Sequence, residues 1–75
     1  MKYIIVESET GLELPIVFNS ILTHKDVARP YIVVSAGFCS CESGKWTVWG
    51  ESVSLQMKSR PQDEKILNNT LNNDY

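Results

Sequence analysis

Cys39 and Cys41, one residue apart, and His24, the only histidine, are the side chains best equipped for chemistry in this chain of 75 residues. Two thiols and an imidazole are soft metal ligands, and a C-x-C pair on an extended strand turns both sulfurs to one side. With a Glu or Asp as fourth ligand, such a set could hold zinc. The spacing argues against it, because structural zinc sites pair cysteines across two intervening residues and these three donors fall on different elements. The plainer expectation is that both cysteines are small apolar fillers on a buried strand face. A disulfide between them is disfavoured too. Residues two apart on a strand lie about 6.5 Å apart on the same face, and a bridge would distort the strand.

Nucleophilic catalysis would have to use His24 as its base. Thr23-His24-Lys25-Asp26 places that ring just inside a capped helical turn, where the positive helix end depresses basicity. A histidine there is expected on the solvated surface or in a contact patch. The chain contains neither G-x-S-x-G nor Cys-Gly-x-Cys-Trp. Glycines 11, 37, 44 and 50 never cluster, so there is no phosphate loop and no dinucleotide fingerprint. Glu7 with Glu9, and Asp63 with Glu64, are explained as turn solubilisers and helix-dipole partners. No catalytic residue and no cofactor is expected. A small metal- or nucleotide-binding protein using Cys39, Cys41 and His24 is the secondary expectation.

Surface recognition is the chemistry that remains. Trp49, with Tyr31 and Phe38 as neighbours, is the expected partner-binding group, since exposed Trp and Tyr dominate interface energetics. The competing expectation is that the C-terminal helix covers this face and makes Trp49 core. The scarcity of large residues in so small a chain favours that alternative.

The elements that must position these residues are legible from pattern. Lys2 to Glu7 (KYIIVE) is a β-branched run and reads as a strand. A polar turn follows through Gly11, and Leu12 to Phe18 alternates, with Leu12, Leu14, Ile16 and Phe18 on one side. Pro15 has no N–H to donate, which predicts a sheet edge or a bulge for this strand. Thr23 and Asp26 have capping-box spacing, predicting a short helical turn over residues 23–28 that Pro30 stops. Val33 to Met57 reads as a hairpin around Glu42-Ser43-Gly44, with a type I turn and a left-handed glycine. In its outgoing arm Trp46 and Val48 are even-numbered, whereas Val53, Leu55 and Met57 are odd. A bulge or sharp bend at Gly50 would restore a common face. Ser59 as N-cap, Pro61 in the first turn and Gln62 at N3 open a C-terminal helix. Ile66, Leu67 and Leu71 give it one apolar stripe. Asparagine is a poor helix former, so the tail from Asn72 is expected to fray.

These elements predict a single small α+β domain over residues 1–75. It has a four- to five-stranded antiparallel sheet packed on one face by the C-terminal helix. The 43% hydrophobic and 21% charged content is globular rather than disordered. So short a chain buries only about 60% of its unfolded surface, and dimerisation or docking on a partner would widen a thin stability margin. The net charge is −2 and the seven Lys and Arg are scattered, which argues against nucleic acid as a direct ligand. The N-terminal apolar run is too short for a signal-peptide core, and no run approaches the roughly 18 residues of a membrane span. A cytoplasmic location without membrane contact is the expectation.

GLELPIVF (Gly11 to Phe18), SAGF (Ser35 to Phe38), WGESVSL (Trp49 to Leu55) and SRPQDEKIL (Ser59 to Leu67) together resemble short, mostly uncharacterised proteins encoded by tailed phages and prophages. The resemblance covers nearly the whole length and carries no activity and no site residue with it. What it implies is a setting, the bacterial cytosol during infection or lysogeny. The function expected is that of a non-enzymatic protein-interaction module, an accessory protein that binds a host or defence protein or itself.

Overall fold

The computed structural model describes residues 1–72, and the expected fraying of the tail falls largely on residues 73–75, outside the described part. Four strands form the main sheet: β1 (Lys2–Glu7), β2 (Glu13–Phe18), β3 (Ile32–Glu42) and β4 (Lys45–Trp49), in the order β2-β1-β3-β4. Every neighbouring pair is antiparallel. Helix α1 (His24–Ala28) follows β2, two short strands β5 (Glu51–Ser52) and β6 (Met57–Lys58) follow β4, and α2 (Pro61–Leu71) ends the chain. The expected α+β architecture, with a C-terminal helix on an antiparallel sheet, is the one found.

Alternation along the central strand decides the layers. Tyr3 and Ile5 of β1 point to one face, where Cys39, Leu67, Val17, Val34, Trp46, Val48 and Ile66 join them under α2. Ile4 and Val6 point to the other, where they meet Phe18, Ala36, Val27, Leu55 and Met57. The sheet is therefore covered on both sides, by α2 on one and by α1 with the β5–β6 hairpin on the other. A strand buried on both faces needs a continuous apolar run, and YIIV at the centre of β1 supplies it.

Pro15 lies on β2, an edge strand, as its missing N–H requires. Thr23 caps α1 through a reciprocal box with Asp26: Asp26 N–H donates to Thr23 Oγ1 at 3.0 Å and Thr23 N–H to the Asp26 carboxylate at 3.1 Å. Arg29 is already extended, as the residue before a proline should be.

Three expectations are corrected. The β3–β4 turn has Glu42 opposite Lys45 and left-handed φ at both Ser43 (51°) and Gly44 (79°). That is a two-residue type I′ turn, whose twist matches the flanking strands better than a type I turn does. The N-cap of α2 is Arg60 rather than Ser59, and N3 is Asp63 rather than Gln62, because the Asp63 carboxylate accepts the Arg60 N–H at 2.9 Å. Finally, the arm from Trp46 to Met57 is not one bulged strand. Gly50 (φ +76°) ends β4, and the chain turns into the separate β5–β6 hairpin. Trp46 and Val48 stay under α2 whereas Leu55 and Met57 cross to the opposite face, so the parity change marks a change of layer. The irregularity in the main sheet lies elsewhere, between Ile5 and Val6 of β1, where β3 fits Val34 as an extra residue.

Candidate functional site

Strand register builds the candidate surface. Phe18 of β2 faces Lys2 of β1, Lys2 faces Phe38 of β3, and Phe38 faces Trp49 of β4, one row crossing all four strands on the face opposite α2. His24 sits over this row from α1. Its ring meets Phe18 edge-on at 5.5 Å between centroids and Phe38 edge-on at 5.8 Å. Phe38 in turn stacks on Trp49 at 6.4 Å with the planes 23° apart. The result is one continuous aromatic run that begins buried at Phe18 and ends in solvent at Trp49, which is 48% exposed. Edge-to-face and offset-stacked pairs are the favoured aromatic geometries, worth about 0.5–1.5 kcal/mol each beyond the area they bury.

The backbone is shaped to fit the run. A Cβ on Gly50 would lie 2.9 Å from the Phe38 ring, so that glycine serves both the left-handed turn and the close approach to the aromatic stack. Gly37, paired with Tyr3, leaves room for the Trp49 carbonyl and the Tyr3 ring, since a Cβ there would sit 2.7 Å from the Trp49 oxygen and 3.3 Å from the ring. At the loop end of the row, Lys2 Nζ donates to the Leu22 carbonyl at 2.8 Å and ties the β2–α1 connection down.

Of the expected partner-binding residues, the fold brings Phe38 and Trp49 together and sets Tyr31 apart. Tyr31 is half exposed but precedes β3, seven residues from Phe38, which is about 23 Å along an extended chain. It therefore belongs to a different patch. The competing expectation, that the C-terminal helix buries Trp49, does not hold, because α2 lies on the other face against Trp46.

His24 corrects its expectation as well. It is buried rather than solvated, and its Nε2–H donates to the Gly37 carbonyl at 2.8 Å, a carbonyl being able only to accept. The grouping of Cys39, Cys41 and His24 for a metal or nucleotide is not assembled. Cys39 is packed under α2 with Tyr3 and Leu67, whereas His24 lies across the sheet among the phenylalanines. Burial pushes the Cys39 thiol up, away from the thiolate a ligand or nucleophile needs. Cys41 is exposed, so only one of the two cysteines is the core filler expected of both. Among the described residues, no three His, Cys, Asp or Glu side chains converge as a metal site would require.

The opposite face carries a polar network that pattern alone did not disclose. Asp63, fully buried, accepts the Tyr3 hydroxyl at 2.6 Å on one carboxylate oxygen and the Arg60 Nε–H at 2.9 Å on the other. Arg60 reaches on to Glu13 of β2 at 2.8 Å. Burial and then the bond to Asp63 hold the Tyr3 hydroxyl far above its ordinary titration range, so it stays a donor. The bonds to Glu13 and Asp63 raise the already high basicity of Arg60. The only hint in the sequence is the Arg60-Pro61-Gln62-Asp63 spacing, which suits an i,i+3 pair across a helix start. The network positions α2. Its Tyr3–Asp63 end is enclosed by the core, whereas Arg60 and Glu13 reach the surface partly exposed.

Two shallow depressions flank these features, one lined by Glu51, Val53, Gln56, Met57 and Lys58, the other by Val48, Ser59, Arg60, Pro61 and Glu64. No protein-family model, curated protein or solved structure matches the chain. No helix among the described residues is long and apolar enough to cross a membrane.

Proposed function

We propose that this chain is a non-enzymatic interaction module that binds a protein partner through the surface ending at Trp49. One observation carries the reading: a half-exposed indole stacked on Phe38, which is itself held by buried His24. A large aromatic held in place by the core loses little side-chain freedom on binding, and desolvating it supplies the kind of energy that dominates interfaces. The fate of the candidate reactive groups favours the same reading. His24 Nε2 is committed to a backbone carbonyl, and Cys39 is sealed under a helix on the other side of the sheet.

The resemblance of four segments to short phage and prophage proteins suggests the partner class, a host or defence protein met in the bacterial cytosol. The scattered basic residues weigh against nucleic acid as the ligand. The test is capture from bacterial lysate by the wild-type chain, Trp49→Ala and Tyr31→Ala. Partner recovery should fall at least about tenfold for Trp49→Ala, the loss expected of an interface hot spot, and hold for Tyr31→Ala. Equal recovery by a folded Trp49→Ala chain would refute the assignment.

A further inference from the structure

Edge strand β4 carries a second feature along its outer edge, which shares only Trp49 with the aromatic row. Three of its outward backbone groups, the Trp46 N–H, the Trp46 carbonyl and the Val48 N–H, are occupied by side chains of α2. Asn68 takes the Trp46 N–H on Oδ1 at 2.8 Å and donates from Nδ2 to the Trp46 carbonyl at 3.0 Å, reproducing both bonds that a neighbouring strand would make. One turn earlier Glu64 Oε1 accepts the Val48 N–H at 3.2 Å. One turn later Asn72 Nδ2 donates to the Gly44 carbonyl and braces Asn68 Oδ1 at 3.0 Å. The spacing is what makes this work. Four helical residues rise about 6.0 Å, and two strand residues about 6.7 Å, so positions 64, 68 and 72 stay in step with 48, 46 and 44 on the antiparallel strand. Asparagine costs helix propensity, and two of them on this stripe make sense as backbone mimics.

We propose that Glu64, Asn68 and Asn72 are a clamp holding shut a strand-pairing edge, and that a second copy of this chain is the occupant that edge accepts when the clamp is lost. The choice of occupant follows from self-complementarity. An antiparallel two-fold pairing centred on Thr47 sets Trp46 of one copy against Val48 of the other, the two residues whose amides point outward. The same register sets Lys45 of one copy against Trp49 of the second. Both are exposed, so the ammonium can lie over the indole face. The other edge is less suited, because Pro15 interrupts the donors of β2.

Two measurements test this, and neither needs the partner of the proposed function. In the native chain the Trp46 and Val48 amides should exchange with deuterium at least about tenfold slower than in an unstructured peptide, although they lie on an outer edge. Exchange at the free-peptide rate would overturn the clamp, whether or not any variant folds. Glu64→Ala with Asn68→Ala should then shift sedimentation from the 8.5 kDa monomer toward twice that mass. Adding Val48→Pro, which removes one outward N–H, should return it to monomer. A folded double variant that stays monomeric, or a dimer indifferent to Val48→Pro, refutes the occupant and the edge respectively.

Discussion

Asp63→Ala should be the most damaging single substitution in this protein, and its cost can be worked from the geometry. The carboxylate is fully buried and accepts three donors: the Tyr3 hydroxyl, the Arg60 backbone N–H and the Arg60 guanidinium. Truncation strands a buried phenol, leaves the partly exposed Arg60 guanidinium with Glu13 alone, and removes the cap from α2. Losing one partner of a buried charged pair costs about 3–5 kcal/mol. Total stability at about 0.05–0.15 kcal/mol per residue is roughly 4–11 kcal/mol for a chain this long, so the loss takes between about a quarter of that margin and all of it. In thermal terms the drop is about 12–40 °C for a domain of this size. Tyr3→Phe leaves Asp63 with both Arg60 donors and should cost only about 1.5 kcal/mol. Asp63→Asn, which keeps an acceptor but loses the charge, should fall between the two. Urea unfolding at 25 °C, followed by tryptophan fluorescence and circular dichroism, gives the ranking. An Asp63→Ala chain within about 1 kcal/mol of wild type would refute the claim that this network fastens α2 to the sheet.

Alkaline pH tests the same network from the other partner. The folded-state titration of Tyr3 lies far above its ordinary 10.0, because of burial first and the Asp63 bond second. A raised value means that its contribution is complete below pH 10 and is lost above it, as the unfolded chain begins to release a proton that the folded chain keeps. Wild type should therefore lose stability relative to Tyr3→Phe above that pH, approaching about 1.4 kcal/mol per pH unit. Parallel curves for the two chains would contradict the burial of the phenol. Thiol labelling under native conditions should modify Cys41 rapidly and leave Cys39, sealed beneath Leu67, until the chain unfolds. Two fast thiols would mean that α2 does not cover that face.

Much of the fold is legible in the residues, for reasons that are local. YIIV with acids and lysine around it reads as a strand, Pro15 can sit only where no N–H is needed, and Thr23 with Asp26 closes a helix start by itself. What escaped depends on long-range partners. His24 is polar by type, yet it is buried because the Gly37 carbonyl, thirteen residues on, meets its Nε2. The parity change across Gly50 is plain in the sequence, but whether it means a bulge or a change of layer depends on whether the second face of the sheet is covered, which no local pattern records. Asn68 and Asn72 look like weak helix residues until the edge of β4 is set beside them. Of the aromatic surface, Trp49 with Phe38 follows from strand parity. The separation of Tyr31 follows only from the length of β3.

The surface assigned to partner binding is tested most directly by the two indole N–H signals in a nitrogen-15 spectrum, recorded as a captured partner is added. Trp49 lies in solvent on the aromatic row and Trp46 lies under α2. The Trp49 signal should shift or broaden at stoichiometric partner while the Trp46 signal holds. A saturating partner that leaves Trp49 unmoved, or that moves only residues around Tyr31, would contradict the assignment.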